Sequence, residues 1–181
     1  MELNHKPGIG FDQIKAFAFD IDGVMTNGGL LCDLRGELFR VYDAKDGFAV
    51  RMATMNGFHV GIITGGRSGS IIERFKTCSI PQEDIYLGSR NKLKDFDDFC
   101  SRHGLQRNDV LYIGDDIPDI EVIKACGIGV CPSDAVAEVK DAADMVTDYP
   151  GGKGCVRSVF ETVMKCQGRW NFDVNLYTSK F

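Results

Sequence analysis

The sequence predicts a doubly wound α/β fold, a parallel sheet with helices on both faces. Three observations predict it. Short apolar runs recur at 15–21, 60–64, 110–113 and 128–131, each too short for a helix and too continuous for a half-exposed strand. Helical patterns fill the intervals, at about 47–55, 68–77, 92–103, 118–125 and 155–166. The apolar runs give way to glycine- and acid-rich turns, which in open α/β sheets is where ligands bind.

Taken in order, the first run, 15–21, reads as a strand buried on both faces. Residues 29–42 break the alternation and read as two short strands around a turn at 34–37. Such a hairpin projects from the carboxyl edge of the sheet. Its apolar residues Leu30, Leu31, Leu38, Phe39 and Val41 need a partner surface, and a subunit interface is preferred over folding back on the same domain. The remaining strands and helices then alternate to residue 166, and a tail follows at 168–181.

Composition sets limits. A hydrophobic content of 44% is enough for a core, and the chain is expected to form one domain over 1–181. No apolar run approaches the roughly 18 residues needed to span a bilayer. The stretch Met1–Lys6 is polar and leads into no signal-peptide core, so a cytoplasmic location is expected. Cys32, Cys78, Cys100, Cys126, Cys131, Cys155 and Cys166 include no C-x-x-C pair and read as thiols. A net charge of −5 argues against nonspecific nucleic-acid binding, which needs a basic face, but leaves an anionic small molecule open.

Acidic residues gather at the expected strand ends. Asp20-Ile-Asp22-Gly-Val follows the first strand, Gly114-Asp115-Asp116-Ile-Pro-Asp119 follows the strand at 110–113, and Thr64-Gly65-Gly-Arg67-Ser ends the strand at 60–64. Lys92 opens a helix. Two carboxylates about 4 Å apart repel by about 4 kcal/mol at an effective dielectric of about 20, so convergence demands a positive partner. An oxygen-rich site without Cys or His suits a hard cation, Mg2+ before Ca2+. Residues two apart in an extended strand share a face, so Asp20 and Asp22 can reach one reacting centre, one attacking phosphorus while the other serves the leaving oxygen. Gly23 permits the sharp turn beside them. Each element alone has an ordinary explanation as a turn, a helix cap or a surface lysine; their joint order does not.

These residues resemble the four motifs of the haloacid dehalogenase (HAD) superfamily of phosphatases, over about residues 15–150. Within it the chain is similar to the cap-less branch that contains 3-deoxy-D-manno-octulosonate 8-phosphate phosphatases. The hairpin after the first motif, Asp43-Ala-Lys-Asp46-Gly47, Gly65-Gly-Arg67-Ser68 and Gly151-Gly-Lys153-Gly154-Cys-Val-Arg157 carry that likeness.

The resemblance implies a HAD-like, Rossmann-like sheet with no cap domain, and a Mg2+-dependent phosphatase acting on a sugar-acid phosphate. It implies Asp20 as nucleophile and Asp22 as general acid and base. Mg2+ would be held by Asp20, the backbone carbonyl of Asp22, and Asp115. Thr64, Gly65 and Lys92 would bind the phosphoryl group, while Asp116 and Asp119 orient water ligands or Lys92. Arg67, Arg157 and Lys153 are the candidates for the substrate carboxylate, with Arg51 behind them. A homotetramer is implied, with neighbouring subunits covering the active sites. A nine-carbon, sialic-acid-type 9-phosphate is the alternative substrate. A phosphate-accepting receiver domain would place adjacent acids after the first strand and its acceptor after the third, unlike this chain. An idle assembly subunit would not need intact motifs, and a phosphomutase would need a cap to exclude water.

Overall fold

A computed structural model describes residues 10–179. The polar stretch Met1–Lys6 and the last two residues of the tail lie outside them. The strands are β1 (Ala16–Phe19), β2 (Leu31–Cys32), β3 (Leu38–Phe39), β4 (His59–Thr64), β5 (Ile85–Leu87), β6 (Val110–Ile113), β7 (Ile128–Cys131) and β8 (Met145–Val146). The helices are α1 (Ala44–Met55), α2 (Ser70–Lys76), α3 (Lys92–Arg102), α4 (Ile120–Ala125), α5 (Ala137–Ala142), α6 (Cys155–Cys166) and α7 (Val174–Ser179). Six strands form one sheet in the order β5-β4-β1-β6-β7-β8, every pairing parallel. The doubly wound α/β reading is therefore borne out.

Alternation along the strands builds two cores. Phe17 and Phe19 of β1 join Val60, Ile62, Leu111 and Ile113 on the face covered by α1, α2 and α6. Ala16 and Ala18 join Ile63, Val110 and Tyr112 on the face covered by α3, α4 and α5. Phe17 stacks on Phe160 of α6 with ring centroids 3.9 Å apart. The small alanines of β1 and Gly61 of β4 let aromatic rings of α3 approach the opposite face, where a Cβ on Gly61 would lie 3.0 Å from Phe99.

Several boundaries differ from the sequence reading. Helix α1 begins at Ala44 rather than 47, because the Asp43 side chain accepts the amides of Lys45 and Asp46 and caps it earlier. The predicted helix at 118–125 is a 3-10 turn, Ile117–Asp119, followed by α4. Strands β5 and β8 and helices α5 and α7 were not predicted; β5 and β8 hold three and two residues, too few to show a period.

Between β1 and α1 the chain forms the antiparallel pair β2–β3, with Leu31 opposite Phe39 and Cys32 opposite Leu38. Asp33 closes its turn, accepting the amides of Arg35 and Glu37 at 2.8 and 2.9 Å. Leu31, Leu34, Phe39 and Val41 are exposed there. All seven cysteines are free thiols, and among the described residues no helix is long and apolar enough to cross a membrane.

Candidate active site

The sheet order creates a crevice. After β1 the chain turns toward α1 on one face; after β6 it turns toward α4 on the other, and β1 and β6 are neighbours. Loops that leave adjacent strands in opposite directions open a cleft at their carboxyl ends. Asp20 and Asp22 follow β1, Thr64 ends β4, and Asp115 and Asp116 follow β6. All five line one cavity of about 250 Å³ together with Gly65, Gly66, Ser89, Arg90 and Lys92.

The floor is a buried ion cluster. Lys92 Nζ donates to Asp20 Oδ2 at 2.6 Å and to Asp119 Oδ1 at 2.7 Å. Tyr112 donates its hydroxyl to the same Asp119 oxygen at 2.6 Å, and the other Asp119 oxygen accepts the amides of Asp115 and Asp116 at 3.2 and 3.3 Å. The Asp119 carboxylate thus serves four partners with one charge: it holds Lys92 and Tyr112 and shapes the loop after β6. Asp116 caps the following turn through the Ile117 amide at 2.8 Å.

One lysine does not balance the acids around it. Oxygens of Asp20, Asp115 and Asp119 lie within 4.8 Å of one another. Burial, and then the Asp119 charge, push the Asp20 carboxyl up to about 6 against the pull of Lys92 and the Ile21 amide. Burial, followed by Asp119 and Asp20, pushes Asp115 up to about 8. Burial drives Lys92 down, but Asp20 and Asp119 outweigh it and its pKa is raised. The buried Oδ1 of Asp115 has no hydrogen-bond partner. Crowded, all-oxygen donors and an unsatisfied buried carboxylate oxygen fit a hard divalent cation, which would discharge the repulsion.

The loop carrying Asp20 and Asp22 is held from below. Amides of Met25 and Thr26 bond the Ile21 carbonyl at 2.9 and 3.2 Å, and Gly23 has φ 91°, a region that disfavours a side chain. The glycine-rich segment before α6 buttresses it. Gly152 donates to the Val24 carbonyl at 2.9 Å, and a Cβ on Gly151 would lie 1.9 Å from the Gly23 carbonyl oxygen. Asp46, wholly buried in α1, accepts the amides of Gly154 and Arg157 at 3.0 and 2.7 Å and ties that segment to the domain. On the other side, Thr64 Oγ1 accepts the Gly66 amide at 3.1 Å, and Ser89 and Gly88 close the loop by backbone bonds to Thr64 and Gly66.

Not every sequence candidate reaches the cavity. Arg67 lines a groove against the hairpin with Glu37 and Leu38. Lys153 and Arg157 line another groove with Lys45 and Lys165. Arg157 pairs with Glu161 one helical turn on, at 2.5 Å, and its guanidinium lies 4.5 Å from the Trp170 ring centroid. Arg51 points at the end of α2, donating to the Thr77 carbonyl at 2.6 Å. Within one chain these cations are apart from the acids.

Ser89 and Arg90 line the cavity without having been singled out in the sequence, and two residues that order the site escaped it as well. Tyr112 looked like one more apolar strand residue. Arg40 lies in the hairpin, yet binds Asp22 with both arms, Nε to Oδ1 at 2.7 Å and Nη2 to Oδ2 at 2.8 Å. A lone arginine 18 positions downstream carries no local signal of such a partner. Asp46 stood within the quoted Asp43-Ala-Lys-Asp46-Gly47 likeness, but its partners lie more than 100 positions downstream, so its role had no local signal.

Comparison with known proteins agrees with this fold. Residues 72–157 match the family model of haloacid dehalogenase-like hydrolases. The 3-deoxy-D-manno-octulosonate 8-phosphate phosphatase of Salmonella typhi is 32% identical over 158 residues, covering 87% of this chain and 83% of that protein. The crystal structure of the corresponding phosphatase from Yersinia pestis superposes with a TM-score of 0.85 at 30% identity, over 88% of this chain and 85% of the other. That of the Moraxella catarrhalis phosphatase, in complex with magnesium, phosphate and KDO, gives 0.84 at 28% identity, over 88% and 91%. An α/β sheet whose crevice gathers acids, a threonine and a lysine, in a chain this similar to those enzymes, leads to one family: the protein is a phosphatase of the haloacid dehalogenase-like hydrolases and belongs with the 3-deoxy-D-manno-octulosonate 8-phosphate phosphatases.

Proposed function

We propose that this enzyme hydrolyses 3-deoxy-D-manno-octulosonate 8-phosphate to the free sugar acid and phosphate, with Mg2+ as cofactor. The observation that carries the chemistry is the close group of Asp20, Asp119 and the half-buried Asp115 beside Lys92, with a buried Asp115 oxygen left unsatisfied. The relatives support the choice of substrate; one of them was crystallised with magnesium, phosphate and KDO.

In the first half-reaction an Asp20 oxygen attacks phosphorus, forming the acyl-phosphate bond as the bond from phosphorus to the sugar oxygen breaks. Asp22 delivers a proton to that oxygen. In the second, water attacks phosphorus, Asp22 takes its proton, and phosphate departs with Asp20 restored. Thr64 Oγ1 and the Gly65 amide donate to the phosphoryl oxygens, and Lys92 offsets their charge. Asp119 keeps Lys92 aimed, and Asp116 holds the turn after β6. Asp20, the Asp22 carbonyl and Asp115 would hold Mg2+, which supplies electrostatic stabilisation of the phosphoryl group. Arg67, Lys153 and Arg157 would meet a substrate carboxylate only across an assembly, and the exposed apolar hairpin supports a homotetramer. The reaction would serve cytoplasmic synthesis of an outer-membrane sugar.

Phosphate release with Mg2+ tests this. The octulosonate 8-phosphate should be preferred over nine-carbon 9-phosphates by at least about 100-fold in kcat/KM, or about 2.7 kcal/mol. Asp20→Asn should fold and lose turnover. A preference for a nine-carbon acid would retain the chemistry and replace the substrate; wild-type turnover by folded Asp20→Asn would sink the mechanism.

A further inference from the structure

Arg40 stands where the hairpin returns toward α1, with its side chain 1% exposed. Besides its two bonds to Asp22, it lies near the Leu38 carbonyl, with Nη1 at 3.4 Å. Both carboxylate oxygens of Asp22 are therefore held in the plane of one guanidinium, a fork-to-fork pairing that fixes direction as well as distance. Room for it comes from the loop after β4. Position 66 is glycine, and a Cβ there would lie 2.9 Å from Arg40 Nη2. Gly66 and Asp22 line the acidic cavity, whereas Arg40 is not among the residues lining it.

We infer that Arg40 is the positioning residue of Asp22, acting on the reaction through that carboxylate rather than on the substrate, and that Gly66 is small so that Arg40 can reach it. The inference rests on the reading of Asp22 as acid and base. Asp22 follows the strand rather than lying within it, and its side chain is 26% exposed, so packing alone does not choose its rotamer. A displacement of about 1 Å at a reacting group can cost about 100-fold in rate. The clamp also makes the hairpin part of the site. β2 and β3 pair only with each other among the described strands, and Arg40 joins their base to the loop after β1.

The test uses the Mg2+-loaded full chain and the octulosonate 8-phosphate, or the sugar-acid phosphate preferred in the assay above. Arg40→Ala should lower kcat by about 100-fold with KM changed by less than about threefold. Added guanidinium should restore at least about tenfold of that loss, because it refills the space beside Asp22. Arg40→Lys, a point charge without the fork, should remain well below wild type. Gly66→Ala should reproduce part of the loss, and in the double variant the two losses should fall short of additive, since the added Cβ meets Arg40 Nη2 first, at 2.9 Å, and Ile71 and Thr64 Oγ1 at 3.2 and 3.3 Å. Asp22→Asn is measured alongside. Turnover of Arg40→Ala within about threefold of wild type, with Asp22→Asn inactive, overturns the clamp alone. So does a loss in folded Arg40→Ala that guanidinium leaves unchanged. Wild-type turnover by Asp22→Asn would overturn the role of Asp22 and the clamp together.

Discussion

Asp115 shows how a single residue can record a missing charge. Its carboxyl is pushed up to about 8, from an ordinary 3.8, by burial and by Asp119 and Asp20; Asp20 is pushed up to about 6. Between about pH 4 and pH 8 the metal-free folded chain therefore holds protons that the unfolded chain has released. Stability from these two groups is greatest at the acid end and is lost as pH rises through 6 and then 8. Bound Mg2+ replaces those protons, so its stabilising effect grows as pH rises. The rise in Tm on adding Mg2+ should be several degrees larger at pH 8 than at pH 6, read against the same protein in chelator. Taking the difference at each pH removes groups remote from the site, such as His59, whose pKa burial lowers. Equal Mg2+ shifts at both pH values would contradict this account of the cluster. Asp20, Asp22, Thr64, Lys92 and Asp115 were legible in the sequence because each sits at a strand or helix end that periodicity reveals. Tyr112 and Arg40 were not, because their significance is a partner rather than a position.

At the scale of elements, the glycine-rich segment before α6 behaves as a strut. Gly151 meets backbone on two sides, the carbonyls of Gly23 and Thr26, and neither can rotate away as a side chain would. Gly151→Ala should cost about 1–3 kcal/mol, the usual range for overpacking a filled site. It should also lower kcat by about tenfold, because the displaced backbone is the loop that carries Asp20 and Asp22. Urea melts and steady-state kinetics on one preparation would check both; unchanged stability would show that the loop yields without cost. The sequence marked this segment as a motif without indicating its use. Its contacts run across more than 120 positions of chain, from Val24 to Gly152, and no local pattern encodes them. The helix boundaries moved for a smaller reason: Asp43 and Asp116 cap their elements, and a cap outweighs the apolar period in the first turn.

At the scale of the whole molecule, the hairpin is the part without a home. Leu31 and Phe39 face each other across β2 and β3, with 71% and 54% of their surfaces exposed. Apolar residues gathered on one ribbon are what the proposed assembly would bury. Light scattering on the wild type should give a mass near four chains, and the double substitution Leu31→Ser with Phe39→Ser should reduce it to one or two. A monomeric wild type at micromolar concentration would remove the assembly from the proposal, and with it any role for Arg67, Lys153 and Arg157 at a neighbour's cavity. The sequence by itself determined the parallel sheet, four of its strands, and the acids, threonine and lysine at their ends, since these depend on short-range periodicity and turn chemistry; the order of the strands came from the tertiary structure. Only the tertiary structure decided which charges meet: Arg40 with Asp22, Asp119 rather than Asp116 with Lys92, and Arg157 with Glu161 away from the cavity. Such pairings depend on how elements dock against one another, and Coulomb forces act on distances in space to which separation along the chain gives no guide.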